Sequence, residues 1–255
     1  MLRGSMTIEE IIREKPHLRD TLALYEKVLR FYAAVADLTA GTELEGETYP
    51  TELVDPVLEV FASSFDLPGE TLSPLREAMK SRLIDLTRLP KGEIPGFSLP
   101  YHEDELATIL FLISRPFFDR LRQTRRVDNA YWEGGKCPLC TAKPSLAAID
   151  DEGRRSFSCS FCGTVGLFKR VGCPACLTQD ASKITLFTAE EERGVRIDGC
   201  DLCGSYIKTV MNVDFSGSHP NPDLVDLVTM PLDIVAQEKG YRRQSPNPIG
   251  ITRMV

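Results

Sequence analysis

Eight cysteines, all between positions 137 and 203 of a 255-residue chain, carry the most specific chemistry the sequence offers. They form four Cys-x-x-Cys pairs: Cys137/Cys140, Cys159/Cys162, Cys173/Cys176 and Cys200/Cys203. Two residues between sulfurs let one turn aim both at a single ion, and four thiolates in a tetrahedron suit zinc or a single iron. The separations of 18 and 23 residues inside successive double pairs match the spacing of metal ribbons. The expectation is two metal ions, iron or zinc, each bound by four cysteines. Four disulfides are the alternative. They are disfavoured because Met1 to Glu10 lacks an apolar stretch with a small-residue cleavage site, which points to a reducing, cytoplasmic setting. A thioredoxin-like redox pair needs a helix N-terminus behind it, whereas these pairs sit between strand-like segments. Sites closed by four sulfurs leave no position for water or substrate, so a structural staple is expected over hydrolytic chemistry. Iron would add one-electron exchange.

The segments between the cysteines read as hairpins. Residues 145–150 and 155–158 flank the turn Asp150-Asp151-Glu152-Gly153, and 183–188 and 195–198 flank the polar stretch 190–194. Each double pair is followed by glycine and a strand-like run, at 163–168 and 204–210. This repeat of about 40 residues favours joining the first pair to the second and the third to the fourth. A cross-braced arrangement, first with third and second with fourth, stays open.

Upstream, residues 7–131 read as helical. Thr7 and Glu10 have capping-box spacing. Leu22, Tyr25, Leu29, Tyr32 and Ala36 make one apolar face over 21–37, and 54–65 and 72–86 are shorter amphipathic candidates. Residues 104–121 are apolar nearly all round, which marks a central buried helix that Pro116 should kink or end. Arg115, Arg120, Arg122, Arg125 and Arg126 follow as a cluster, read either as a solvated helix end or as a docking patch. Trp132, the sole tryptophan, is expected at the junction with the cysteine region. Residues 222–240 read as one C-terminal helix, and Pro246-Asn247-Pro248 as an extended tail. The three histidines, His17, His102 and His219, lie far from the cysteine pairs and are not expected to be ligands.

Charge and hydropathy limit the function classes. The net charge is −7: residues 1–136 carry 17 basic and 23 acidic side chains, 137–214 carry 9 and 10, and 215–255 carry 4 and 4. A near-neutral cysteine region argues against a ribbon that grips nucleic acid, which needs a basic excess. No apolar run approaches the roughly 18 residues needed to cross a bilayer. Nor is there a catalytic triad pattern, a phosphate-cradling loop or a nucleotide fingerprint.

These features together resemble the formate dehydrogenase accessory protein family, FdhE. The resemblance rests on Tyr131-Trp132-Glu133-Gly134-Gly135-Lys136-Cys137-Pro138-Leu139-Cys140, on the four-pair spacing, and on Cys200-Asp201-Leu202-Cys203-Gly204-Ser205-Tyr206-Ile207-Lys208. It extends to the ending Leu232-Asp233, Gly240-Tyr241-Arg242-Arg243 and Pro246-Asn247-Pro248. It covers residues 131–250, about half the chain. It implies a cytoplasmic, non-enzymatic factor that binds the immature formate dehydrogenase catalytic subunit and is needed for active enzyme. A rubredoxin-like iron protein acting on the client's active-site thiol or selenol is the alternative. Arg115, Arg122, Trp132, Tyr241 and Arg242 are the candidate client contacts. The expected fold is α+β: a helical domain over 1–131, rubredoxin-like or zinc-ribbon-like modules over 132–170 and 171–214, and a C-terminal helix and tail over 215–255.

Overall fold

The computed structural model describes residues 7–44, 46–94, 99–125, 127, 131–189, 192, 194–215 and 220–253. Arg126 and His219 of the sequence reading, and most of the polar stretch 190–194, lie outside them.

The helical half begins with α1 (Ile8–Glu14), closed by the expected capping box: Thr7 N–H donates to Glu10 and Glu10 N–H to the Thr7 hydroxyl. Then come α2 (Arg19–Leu38), α3 (Thr51–Ser64), α4 (Ser73–Lys80) and α5 (Glu103–Arg125). The 72–86 candidate is shorter than expected. Its helix stops at Lys80, where the chain turns through Arg82 in left-handed backbone. α5 continues past Pro116. A proline ring disturbs the carbonyls one turn before it, and Tyr49 Oη donates to the Ile113 carbonyl at 3.0 Å.

The cysteine half folds around one sheet. Among the described residues it holds seven strands: β1 (Leu146–Ile149), β2 (Arg155–Ser158), β3 (Val165–Phe168), β4 (Ile184–Phe187), β5 (Val195–Cys200), β6 (Ser205–Met211) and β7 (Arg242–Arg243). The order β3-β2-β1-β6-β5-β4 sets two antiparallel three-stranded units side by side, one per repeat. They join where β1 runs parallel to β6, with Leu146 opposite Lys208 and Ile149 opposite Met211. β7 continues along the same edge of β6, with Ser205 opposite Arg242.

Helices cover both faces of this sheet. On β1, Ala147 packs with α5 residues and Trp132, while Leu146 and Ala148 pack with Val225, Leu232 and Ala236 of the C-terminal helices. One core therefore runs without a break from the helical half into the first repeat.

The expected single C-terminal helix is two, α6 (Pro222–Val228) and α7 (Met230–Glu238), broken at Thr229. Pro231 is the cause: without an N–H it belongs in a first turn, and its ring crowds the carbonyl of Leu227. The tail is no loose extension either. Asn247 is buried, and its side-chain oxygen accepts from the N–H groups of Ile249 at 3.1 Å and Ile251 at 2.9 Å. The turn so formed seats Gly250 against Thr108 and Phe111 of α5.

Candidate metal centres

Each Cys-x-x-Cys pair forms a tight turn in which the residue after its second cysteine takes left-handed backbone. These residues are Thr141, Gly163, Leu177 and Gly204, with φ between 66° and 70°. In each, that residue's N–H returns to the carbonyl of the first cysteine at 2.8–2.9 Å. Glycine adopts this conformation freely, whereas an L side chain costs about 1–2 kcal/mol there. Leu177 is also half exposed. Leu177→Gly is therefore expected to raise stability by about 0.5–1 kcal/mol, the left-handed cost less glycine's own entropy. A thermal melt of the metal-loaded chain reads the change.

The turns converge two by two. Cys137, Cys140, Cys159 and Cys162 form one group and Cys173, Cys176, Cys200 and Cys203 the other, with all sulfurs of a group within 4.8 Å of one another. The first pair thus meets the second and the third meets the fourth; the cross-braced alternative is not adopted. Across the turns, Cys137–Cys162 and Cys140–Cys159 sulfurs lie 3.4 Å apart, and Cys173–Cys203 and Cys176–Cys200 sulfurs 3.7 Å apart. A tetrahedron of sulfurs about 2.3 Å from an ion has edges of about 3.8 Å. A disulfide needs about 2.05 Å.

Burial and crowding set the thiols of each group apart. In the first group burial pushes the Cys140 and Cys159 thiols well up. Cys137 is pulled down by hydrogen bonds from Cys140, Cys159 and Cys162. In the second group burial pushes Cys200 up to about 12. It acts the same way on Cys203, but the Ser205 hydroxyl and N–H prevail and bring that thiol down to about 7. Touching sulfurs cannot all ionise unaided, and a bound dication is what allows four thiolates to coexist. Both groups could hold a metal ion.

Hydroxyls support the sulfurs at equivalent places in the repeat. Thr164 Oγ1 lies 3.1 Å from Cys162 Sγ, and Ser205 Oγ lies 3.0 Å from Cys203 Sγ and 3.3 Å from Cys173 Sγ. The two groups differ in exposure. All four cysteines of the first are buried, whereas in the second Cys176 is exposed and Cys203 half exposed.

The helical half grips the first centre through the Cys159–Cys162 turn. Arg115 Nη1 donates to the Ser160 carbonyl and, at 3.2 Å, to that of Cys159, while Nη2 pairs with Asp223 of α6 at 2.9 Å. Phe161 enters α5, with ring centroids 5.0 Å from Phe111 and 6.2 Å from Phe118. This corrects two proposed client contacts. Arg115 points inward and ties three elements together. Trp132 is fully buried against Phe157, 5.6 Å away, and offers no surface. Arg122 pairs with Asp119 at 2.9 Å and lies over Gly163. Tyr241 and Arg242 border the second centre. Tyr241 Oη donates to Asp201 in the last cysteine turn at 2.5 Å, and Arg242 is exposed beside Gly204.

Gly135 explains part of the approach to Cys137. A Cβ there would stand 2.2 Å from the Pro174 carbonyl oxygen of the third turn, whereas at Gly134 it would meet nothing within 4 Å. Gly135→Ala is expected to cost about 1–3 kcal/mol as overpacking. Gly134→Ala should cost less, since it adds backbone strain alone, and paired thermal melts decide.

A buried ion network escaped sequence reading. Lys208 of β6 donates to Asp226 Oδ1 at 2.7 Å, to the Asp226 carbonyl at 2.6 Å and to Asp233 Oδ2 at 2.6 Å. Arg243 of β7 closes it, with Nη1 3.0 Å from Asp226 Oδ1 and 2.9 Å from Asp233 Oδ1, and Nη2 on Asp226 Oδ2. Tyr206 Oη donates to Asp233 at 2.8 Å. Two cations and two carboxylates balance. The Asp226 carbonyl, at the end of α6, also accepts from the Thr229 hydroxyl at 3.3 Å.

A helical body joined through one sheet to consecutive ribbons, each gathering four cysteines that could hold a metal ion, defines a tandem-ribbon protein with two candidate four-cysteine metal centres. Residues 171–249 match the family model of the FdhE C-terminal domain. An FdhE homolog from Aquifex aeolicus is 30% identical over 205 residues, which is 77% of this chain and 71% of that protein. Another from Rhizobium meliloti is 31% identical over 121 residues, 45% of this chain and 38% of its own. The chain belongs to the FdhE family of formate dehydrogenase accessory proteins. The crystal structure of the FdhE protein from Pseudomonas aeruginosa has the same fold, with a TM-score of 0.63 at 18% identity over 98% of both chains. No helix among the described residues is long and apolar enough to cross a membrane.

Proposed function

We propose that this chain is a cytoplasmic, non-enzymatic maturation factor that binds the immature catalytic subunit of formate dehydrogenase and is needed for active enzyme. Family membership and the closed character of both four-thiolate centres support the reading. Each centre holds one ion, iron or zinc, through its four cysteines: Cys137, Cys140, Cys159 and Cys162, then Cys173, Cys176, Cys200 and Cys203. The ion's part is to fix the turns, and iron would add a one-electron couple. Tyr241 and Arg242, beside the exposed second centre, are the surface offered to the client, with Arg122 a further contact. Co-purification from a host making the catalytic subunit tests this. A complex with the wild type that weakens on Arg242→Glu is the expected result. Absence of any complex, with normal formate dehydrogenase activity in a deletion strain, overturns it.

The exposure of Cys176 favours a second reading, an iron protein that keeps the client's active-site thiol or selenol reduced. A red protein whose ferric-thiolate bands bleach reversibly supports that reading. A colourless zinc protein refutes it.

A further inference from the structure

The two centres share a ligand set and a repeat, yet their packing differs in a way that has chemical consequences. The first centre is sealed: Cys137, Cys140, Cys159 and Cys162 are all buried, inside the core shared with α5. To detach Cys159 or Cys162 from an ion, the Phe161 turn must leave α5. The second centre is sealed on one side only. Cys173 and Cys200 are buried, and Ser205 holds Cys173 and Cys203 through its hydroxyl. Cys203 is partly exposed, and Cys176 is the most exposed cysteine of the four.

The surroundings of Cys176 suit a soft anionic visitor. The Lys143 ammonium is fixed on the Pro174 and Ala175 carbonyls of the same turn, at 3.0 and 3.3 Å, near the sulfurs of Cys173, Cys176 and Cys203. The exposed side chain of Arg242 lies beside Gly204, one residue from Cys203. Leu177 and Leu202, 49% and 62% exposed, carry apolar surface on the two turns of this centre. Cations bordering an exposed thiolate ligand draw in anions, and apolar neighbours accept the carbon chain of a thiol.

We propose that Cys176 is an exchangeable ligand and that the second centre accepts one external thiolate in its place. The step balances without a redox change. The bond from metal to Cys176 sulfur breaks, a bond to the incoming sulfur forms, and the incoming thiol's proton passes to the freed Cys176. The inference rests on the metal reading given above and adds a site for a ligand of the thiol class. That thiol can be a small molecule or a cysteine of a client chain.

Cobalt(II) substitution of the full-length chain tests it, because thiolate-to-cobalt charge-transfer intensity counts the sulfurs bound. The wild type should take two cobalt ions per chain. Cys176→Gly should bind its second cobalt more weakly by at least about the 10–100-fold that loss of an outer-shell partner typically costs. Adding 2-mercaptoethanol should restore the four-thiolate spectrum and that affinity, whereas Cys140→Gly should show no rescue. A parallel arm uses a reduced cysteine-bearing peptide and its serine twin. Rescue by the peptide as well as the small thiol assigns the position to client cysteines, and rescue by the small thiol alone assigns it to small thiols. Should Cys140→Gly fail to fold, the unaltered chain decides. Chelator must then remove one cobalt at least about 10-fold faster than the other, and prior alkylation of Cys176 must mark the chains that lose it. A wild type holding fewer than two thiolate-bound cobalt ions sinks the metal reading itself. Two cobalt ions leaving at one rate, or no rescue of Cys176→Gly, overturns only the exchangeable ligand.

Discussion

Cys159→Ser is expected to leave a chain that neither holds its first metal nor keeps its fold. The reason is where this turn sits. Its carbonyls receive Arg115, and Phe161 is packed between Phe111 and Phe118. Losing the ion leaves crowded sulfurs buried in a core that also contains Trp132 and Phe157. Structural zinc in zinc-finger peptides supplies about 10 kcal/mol or more. A whole domain is stable by only about 5–15 kcal/mol. Losing this ligand set therefore removes a large part of the total. Far-UV circular dichroism and metal per chain read the outcome. Wild-type melting with two metals retained would show that Cys159 is no ligand. Cys176→Ser at the exposed centre should instead remain folded and lose at most one ion.

The next largest effect is expected at the buried ion network. Lys208→Met keeps the shape but leaves Asp226 and Asp233 sharing Arg243 alone, an excess negative charge in a site where Lys208 and Asp233 are fully buried. Breaking such a set costs about 3–5 kcal/mol. The urea midpoint should fall with little change in slope. The pairing Lys208→Met with Asp233→Leu restores balance and should recover part of the loss. The acid side gives an independent readout. Burial alone would raise the Asp226 pKa, but Arg243 and Lys208 outweigh it and hold it below the usual carboxylate range. A depressed carboxylate stabilises the fold above its unfolded value of about 3.9, and that contribution is lost as pH falls through the lower folded value. Without Lys208 the depression shrinks, so acid unfolding should begin at higher pH than in the wild type. An unchanged acid transition would contradict the role given to Lys208.

What the sequence could show follows from which interactions are local. The Cys-x-x-Cys pairs, hairpins, capping box and apolar 104–121 helix are fixed by neighbours a few residues apart, and all are legible in the sequence. Gly163 and Gly204 are residues suited to left-handed turns, whereas Thr141 and Leu177 fill the same positions with residues that carry no such signal. The β1–β6 junction pairs residues about 60 positions apart, and no local pattern specifies its register. Lys208 sits in a run whose composition suits a half-exposed strand, yet β6 is covered on both faces. Only the matching carboxylates in two distant helices reveal why a lysine belongs there. Arg115 and Trp132 illustrate a related point. A charge or an aromatic ring attracts a functional reading, but burial decides its use, and burial is a tertiary property. Pro231 is a local signal of another kind, and it splits the C-terminal helix.

The central claim is that eight cysteines build two separate four-sulfur metal centres. X-ray absorption at the metal edge, with elemental analysis of anaerobically purified full-length protein, tests it most directly. The account predicts two metal ions per chain, each with four sulfur neighbours at about 2.3 Å and no light-atom ligand. Fewer than two ions, or a first shell containing nitrogen or oxygen, would contradict it.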